Sequence, residues 1–426
     1  MTEKILTKNF GDKELHTLKG YQGHGGYEGL KKAHNMEASQ VIEEVKNSNL
    51  RGLGGAGFSA GVKWGFVPKK EGQPRYLCVN ADEGEPGTFK DRHIMGNTPH
   101  TLIEGIGIAC RAIEAETAYI YIRGEFRFLF PRLQAAIDEA EEAGYLGDNI
   151  LGTGRKLKVY LHHGAGAYVC GEETALLNSI EGRKGFPRTK PPFPAVVGLF
   201  GKPTIINNVE TISHLPGILV NGAEWFKKLG TPTQGGTRIL SVSGHVKKPG
   251  NYEVPNGFSL KKVIFDLCGG VEDDAPLKAV IPGGASTSLL KPDEIDINID
   301  FDSMAAAGTA AGSAAIIVLK ENTCIVRAVE NLLHFFADES CGQCTPCREG
   351  TTWLRKILHG IESGKGKESD IDLLERVSGI MGGATICALA DGAIAPVQSA
   401  VKKFRSEFEQ HIKEKKCPFP EWTWGE

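Results

Sequence analysis

The sequence predicts a multidomain α/β chain: a parallel-sheet region, a smaller α+β module and a C-terminal helical bundle that carries a metal–sulfur centre. Three observations predict it. Between Arg75 and Glu181, strand-like runs alternate with helical ones, the pattern of a parallel sheet covered on both faces. Near Gly236 this gives way to two strands joined by Lys248-Pro-Gly, then a helix and further strands. After Cys324 the pattern is helical, and Cys341, Cys344 and Cys347 follow the spacing C-x2-C-x2-C, with Cys387 further on.

Taken in order, residues 1–61 read as a lead-in that ends in a glycine-rich loop. Val41, Ile42 and Val45 give Ala38–Leu50 a helical face. Residues 62–235 hold the α/β region, with strands at Arg75–Asn80, Ala118–Ile122 and Leu157–His162. Its helices are predicted at Leu102–Glu114, Arg132–Ala143 and Glu172–Glu181. Residues 236–323 form the α+β module, with strands at Thr237–Gly244, Asn251–Val254, Lys278–Ile281 and Ala314–Leu319 and a helix at Ser259–Leu267. Residues 324–426 give four helices: Ile325–Glu339, Cys347–Ser363, Asp370–Gly379 and Ala390–Lys413.

Composition narrows the function. The 426 residues carry 49 Lys plus Arg against 52 Asp plus Glu, a net charge of −3 that gives nucleic acid no foothold. The 54 glycines cluster in loops beside strands, where backbone can approach a ligand. Met1-Thr-Glu-Lys-Ile-Leu-Thr-Lys has no apolar signal core. Met304–Leu319 is too short and too rich in Ala and Gly to span a membrane, so direct membrane insertion is not expected.

Four segments carry candidate chemistry besides the cysteines. Gly52-Leu-Gly54-Gly55-Ala-Gly57 fits G-x-G-x-x-G, but a helix precedes it where the dinucleotide fingerprint needs a strand. Phe58, Lys63 and Phe66 follow, offering aromatic faces for a base and an ammonium for a phosphate. Asn80-Ala-Asp82-Glu83-Gly-Glu85 leaves the end of a strand, and its carboxylates suit ribose or ribityl hydroxyls; a solvated acidic turn is the plainer reading. Tyr168-Val-Cys170-Gly171-Glu172-Glu173 joins a glycine loop to a helix whose dipole favours the glutamates, with helix capping as the alternative. Asn207, Asn208 and Thr211 stand at a helix start, where an ordinary N-cap and a phosphate site look alike.

Three cysteines in one loop plus one from a separate segment suit a cubane cluster. Zinc is the rival, although structural zinc prefers ligands in two pairs. Pro346 is expected to stop helix formation inside the loop, so that Cys347 opens the next helix. Cys170 reads as a packing residue. Cys78, Cys110, Cys268, Cys324 and Cys417 have no partner spacing and receive no role.

Four runs occur in this order in one family: Gly54-Gly-Ala-Gly-Phe, Asn80-Ala-Asp-Glu-Gly-Glu-Pro-Gly-Thr, Gly166-Ala-Tyr-Val-Cys-Gly-Glu-Glu-Thr-Ala-Leu and Glu339-Ser-Cys-Gly-Gln-Cys-Thr-Pro-Cys-Arg-Glu-Gly. Over nearly its whole length the chain resembles the NADH-oxidising, NADH-binding flavoprotein of respiratory complex I, the F subunit of bacterial NADH-quinone oxidoreductase. The resemblance implies a Rossmann-like FMN/NADH domain, a ubiquitin-like (β-grasp) domain and a four-helix bundle with a [4Fe–4S] cluster held by Cys341, Cys344, Cys347 and Cys387. It implies FMN across Gly52, Gly54, Gly55 and Gly57, Lys63, Asn80, Asp82, Tyr168, Glu172, Asn207, Asn208 and Thr211, with Glu83 and Gly171 also in the cofactor site. It implies adenine among Phe58, Phe66 and Phe193, with Glu173 and Lys190 near the ribose of NAD(H). Glu85 is implied beside the nicotinamide and, with Tyr168, in a catalytic role. The implied partners are the small [2Fe–2S] E subunit and further iron–sulfur subunits, which would hold the chain peripherally on the cytoplasmic side of the inner membrane. The chain departs from the family at Leu53, where arginine is frequent, and at Ala390, where glycine is more usual. A diaphorase subunit of an NAD-reducing hydrogenase or formate dehydrogenase is the alternative within enzymes, and a zinc-stapled nucleotide-binding scaffold the alternative outside them.

Overall fold

Four parallel strands realise the alternating pattern: β1 (Tyr76–Ala81), β2 (Thr117–Ile122), β3 (Lys158–His163) and β4 (Thr204–Asn208), in the order β3-β2-β1-β4. The computed structural model describes residues 3–419. It divides into two compact units. Unit 1 comprises Met1–Gly84, Phe89–Leu240 and Glu253–Gly257; unit 2 comprises Glu85–Thr88, Ser241–Tyr252 and Phe258–Glu426.

In unit 1 the register pairs Val79 with Ile120 on one side and with Asn207 on the other. Leu77, Cys78 and Val79 are all fully buried, as a central strand covered on both faces requires. The helices are α1 (Leu18–Gly23), α2 (Glu28–His34), α3 (Ala38–Asn47), α4 (Ala60–Trp64), α5 (Asp91–Asn97), α6 (Pro99–Ile113), α7 (Phe130–Glu142), α8 (Glu173–Ile180), α9 (Val209–Ser213), α10 (Leu215–Asn221) and α11 (Ala223–Lys228). Pro99 opens α6, where its missing N–H has no partner to lose, and the helix is buried along its length.

The sequence pattern does not announce β4 and places Ile205–Thr211 at a helix start. The helix begins at Val209, and Thr204–Asn208 is a strand that pairs in parallel with β1. Five residues after a proline carry too short a pattern to signal a strand that exists only through its neighbour.

Unit 2 contains the strands β5 (Thr237–Gly244), β6 (Gly250–Pro255), β8 (Leu277–Ile281) and β10 (Ala315–Lys320), ordered β6-β5-β10-β8, with the ends of β5 and β6 counted in unit 1. Strand β10 runs parallel to β5 and antiparallel to β8. A short pair, β7 (Phe258–Ser259) and β9 (Asn298–Ile299), stands apart. The predicted helix at Ser259–Leu267 starts as α12 (Leu260–Lys262) and continues as a π-helical turn, Val263–Leu267; α13 (Phe301–Ala306) precedes β10.

The helical region comprises α14 (Ile325–Glu339), α15 (Thr345–Glu362), α16 (Glu368–Met381) and α17 (Leu389–Glu414), which pack on one another. Pro346 does not break the chain before α15. It sits in the first turn of that helix, where no hydrogen-bonded N–H is needed, so the helix opens at Thr345 and Cys347 lies inside it.

Candidate functional site

The carboxyl ends of the strands in unit 1 gather the predicted motifs. Asp82 follows β1, Arg123 follows β2, the Tyr168–Gly171 turn follows β3, and Asn207–Asn208 ends β4. Hydrogen bonds tie these ends together. Asn80 Nδ2 donates to Gly171 O at 2.8 Å, and Arg123 Nη1 donates to Glu83 O at 2.6 Å. The Tyr168 ring packs over Gly84, where an added Cβ would lie 3.2 Å from it.

The glycine loop docks on the end of β4. Leu53 N donates to Thr211 Oγ1 at 2.9 Å, and Gly52 N donates to Phe58 O at 2.8 Å. A Cβ at Gly54 would lie 2.9 Å from Asn208 Cβ, so only glycine permits this approach. Gly57 has φ +66°, a left-handed conformation that glycine adopts without strain, while Gly55 faces open space. Leu53 is fully buried and is an apolar anchor for the loop.

At the same edge lies an ion-pair set of two lysines and two glutamates. Lys63 Nζ stands 2.9 Å from Glu173 Oε2, and Lys190 Nζ stands 2.9 Å from both Glu172 Oε1 and Glu173 Oε1. Burial alone would raise the Glu173 carboxyl, but Lys63 and Lys190 outweigh it and hold it below the usual range. The other oxygen of Glu172 caps α8, accepting from Thr174 N at 2.8 Å and Ala175 N at 3.0 Å. Glu172 therefore both caps and pairs. Phe58, Phe66 and Phe193 are each more than half exposed, and the Phe58 and Phe66 rings lie 6.1 Å apart.

Some predicted residues turn inward instead. Asn207 Oδ1 accepts from Trp64 Nε1 at 2.9 Å. Asn208 Oδ1 caps α9 through Glu210 N, and its Nδ2 donates to Asp91 Oδ2 at 2.7 Å. Glu83 is buried, accepting from Asp91 N at 2.6 Å and pairing with Arg92 Nε at 3.1 Å. Burial and the neighbouring Asp91 push its carboxyl up to about 7. Glu85 belongs to unit 2, where its Oε1 accepts from Ser286 N at 2.7 Å. Cys170 is buried beside Gly185, as a packing residue should be.

The network beneath this edge is not visible from the sequence motifs. Lys90, almost wholly buried, lies 2.8 Å from Asp91 Oδ1 and 2.7 Å from Glu210 Oε2, and Asp91 in turn holds Asn208. The adjacent Lys-Asp pair after Thr88-Phe89 is its one outward sign.

In unit 2 the cysteine loop caps α15. Cys344 is the N-cap residue, Gly342 adopts φ +78°, and Cys347 is buried while Cys341, Cys344 and Cys387 are half-buried. Ile386 N donates to Cys344 Sγ at 3.4 Å, bringing the segment of Cys387 against the loop. Ser340 Oγ lies 3.2 Å from Cys347 Sγ. Four soft sulfur donors beside backbone N–H groups and a helix N-terminus fit an anionic iron–sulfur cluster. At the sheet edge, open glycine backbone beside a lysine and exposed aromatic rings fits a phosphate-bearing planar cofactor.

Three stretches of the chain match known protein families. Residues 45–217 match the Nuo51 FMN-binding domain, residues 239–288 the SLBB domain, and residues 327–411 the NADH-ubiquinone oxidoreductase-F iron-sulfur binding region. The second NADH-quinone oxidoreductase F subunit of Rhizobium meliloti (strain 1021) is 50% identical over 98% of this chain and 100% of its own. The NADH-quinone oxidoreductase F subunit of Streptomyces coelicolor is 49% identical over 97% of this chain and 92% of its own. Among solved structures, the air-oxidized NAD+-reducing [NiFe]-hydrogenase matches with a TM-score of 0.84 at 34% identity, over 96% of this chain and 67% of that one. On its motifs, its fold and half-identity along its whole length, the chain belongs to the family of NADH-quinone oxidoreductase F subunits.

Proposed function

We propose that this chain oxidises NADH as the F subunit of an NADH-quinone oxidoreductase, with FMN and one [4Fe–4S] cluster, and passes electrons to partner subunits towards quinone. The observation that carries the reading is the convergence of four motifs on the carboxyl edge of one parallel sheet, in a member of this family. FMN would supply a hydride acceptor for NADH and the cluster a one-electron carrier, so the chain's own residues have to bind, orient and exclude water.

The Gly52–Gly57 backbone and Lys63 are suited to a phosphate, and Asn80, Asp82 and Glu172 to the hydroxyls of a ribityl chain. Phe58, Phe66 and Phe193 offer exposed faces for adenine. Glu173, fixed between Lys63 and Lys190, is placed to accept from a ribose hydroxyl and to disfavour a 2′-phosphate. Asn207, Asn208, Thr211 and Glu83 act as supports: their side chains hold Trp64, Asp91, Leu53 and Arg92, which leaves backbone groups to face the cofactor. Tyr168 and Glu85 keep the roles that the family resemblance implies. Cys341, Cys344, Cys347 and Cys387 supply the cluster thiolates.

Within this reading the chain divides near residues 62, 236 and 324 into a lead-in, a Rossmann-like domain, a ubiquitin-like domain and a cluster-bearing four-helix bundle. The small [2Fe–2S] E subunit and further iron–sulfur subunits are its partners, and they hold it on the cytoplasmic side of the membrane. No helix among the described residues is long and apolar enough to cross a membrane. The likeness to the hydrogenase structure supports a second reading, a diaphorase subunit, at lower identity.

The test is a visible spectrum of the chain purified without air, before and after NADH. Flavin bands and a broad iron–sulfur shoulder, both bleached by NADH, are expected. A colourless protein, or colour that NADH leaves unchanged, would overturn the proposal. Mass spectrometry of co-purifying subunits then separates the two readings, because only the second brings nickel–iron subunits.

A further inference from the structure

Two of the cysteines that the sequence leaves without a role meet in the helical region. Cys324, Glu362, His411 and Cys417 each direct one donor atom to a common point, all four atoms lying within 4.8 Å of one another. Cys324 Sγ lies 3.2 Å from Glu362 Oε2 and 3.3 Å from His411 Nε2, and His411 Nε2 lies 3.0 Å from Glu362 Oε2. A tetrahedral zinc with sulfur, nitrogen and oxygen ligands separates its donors by about 3.3–3.8 Å, so a shift of about half an ångström opens the centre. Cys324, Glu362 and His411 are buried and Cys417 is half-buried.

The surroundings orient these donors as metal ligands are oriented. His411 Nδ1 donates to Glu407 O at 2.7 Å, which turns the lone pair of Nε2 to the centre. Arg327 Nε holds the other oxygen of Glu362 at 2.9 Å. Arg327 N donates to Cys324 Sγ at 3.3 Å, at the N-terminus of a 15-residue helix. Lys278 Nζ lies 2.7 Å from Glu407 Oε2, adding a second cation near the site. Two thiols, a carboxylate and an imidazole thus meet at one point, with Arg327 on the outer carboxylate oxygen.

The site is distinct from the cluster loop. Cys324 caps the start of α14 and Cys341 follows its end, and 15 residues of helix span about 22 Å. Glu362 ends α15, and His411 and Cys417 lie at the end of α17 and just beyond it. The segment after α17 is docked there: a Cβ on Gly364 would collide with Lys415 O, and Lys278 Nζ sits 4.2 Å from the centre of the Phe419 ring.

We propose that Cys324, Glu362, His411 and Cys417 bind one zinc ion, which staples the ends of α14, α15 and α17 to the segment that follows. Two thiolates, one imidazole and one carboxylate form a closed set with no position left for substrate, so the ion is structural. Binding displaces the two thiol protons to solvent and changes no oxidation state.

The experiment is metal analysis and zinc-edge X-ray absorption on the anaerobically purified full chain, as wild type, His411→Ala and Cys417→Ser. The expected result is about one zinc per chain, with two sulfur ligands near 2.3 Å and two nitrogen or oxygen ligands near 2.0–2.1 Å. Both variants should lose zinc at least about tenfold while iron is unchanged, since no cluster ligand is touched. Absence of zinc from the wild type, zinc bound by four sulfurs, or zinc retained in both variants would each overturn the proposal. Should a variant fail to fold, the wild-type ligand count decides alone.

Discussion

The sheet edge of unit 1 and the Cys324–Cys417 end of the helical region both gather acidic side chains, half-buried in the first and buried in the second, yet they balance charge in different ways. At the sheet edge two lysines answer two glutamates within 2.9 Å, so the set is complete in itself. In the proposed function this edge receives the hydroxyl groups, phosphate and flat rings of the cofactors. At the end of the helices, two thiols and a carboxylate share one point with an imidazole, and Arg327 reaches only the outer carboxylate oxygen. There Glu362 already meets Arg327 and His411, and the proposed zinc joins it to the two sulfurs. On these two proposals, the arrangement of fixed charge, more than the number of acidic groups, separates a hydroxyl-binding edge from a metal-binding end.

Breaking the helical end should have the largest effect on stability. Glu362→Gln removes the carboxylate charge that faces His411 and Arg327, and loss of one partner of a buried pair costs about 3–5 kcal/mol. Thermal unfolding of the zinc-loaded full chain should show a clear downward shift; an unchanged midpoint would mean that Glu362 belongs to no buried charged set. Gly54→Ala tests the sheet edge next, because its Cβ would lie 2.9 Å from Asn208 Cβ. Overpacking of this kind costs about 1–3 kcal/mol, and the loop should swing away and lower the flavin content of the purified protein. Full flavin occupancy in the alanine variant would remove the loop from the site.

Smaller effects probe the internal balance directly. Glu173→Gln takes one carboxylate from between Lys63 and Lys190; Lys63 loses its carboxylate partner and Lys190 keeps only Glu172, so the set turns net positive towards a 2′-phosphate. The ratio of kcat/KM for NADH over NADPH should fall about tenfold, equivalent to about 1.4 kcal/mol. A ratio that does not move would place Glu173 away from the nucleotide. The pH dependence of stability should be smaller still. The folded Glu173 carboxyl lies below its ordinary 4.5, so the unfolded chain binds its proton first on acidification. Its stabilisation is fully present above pH 4.5 and is lost as pH falls through the lower folded value. Wild type should therefore lose more unfolding temperature than Glu173→Gln on acidification below that point, and parallel curves would contradict the pairing.

The two regions are also unequally legible in the sequence. Gly52–Gly57, Asn80–Glu85, Tyr168–Glu173 and Asn207–Thr211 are contiguous motifs, and a parallel sheet brings the ends of its strands to one edge whatever lies between them. What the motifs do not reveal is which side chains face inward. Asn207 is taken by Trp64 and Glu83 by Arg92, pairings fixed by tertiary packing alone. The buried Lys90–Asp91–Glu210 network beneath them has no periodic signal. Cys341, Cys344 and Cys347 are legible because seven consecutive residues hold them. Cys324, Glu362, His411 and Cys417 have no spacing to read. Their common feature is that each lies at the end of a helix or just past it, and packing of α14, α15 and α17 turns those ends into one place.

The most direct test of the central claim, hydride in and single electrons out, is electron paramagnetic resonance of the anaerobic protein frozen after NADH addition, wild type beside Cys344→Ser. The account predicts a reduced-cluster signal in the wild type. It predicts no such signal in Cys344→Ser, although NADH still bleaches the flavin band and the zinc at the far end of the helices is retained. A wild type that shows no cluster signal after NADH, or a variant that keeps the signal, would contradict it.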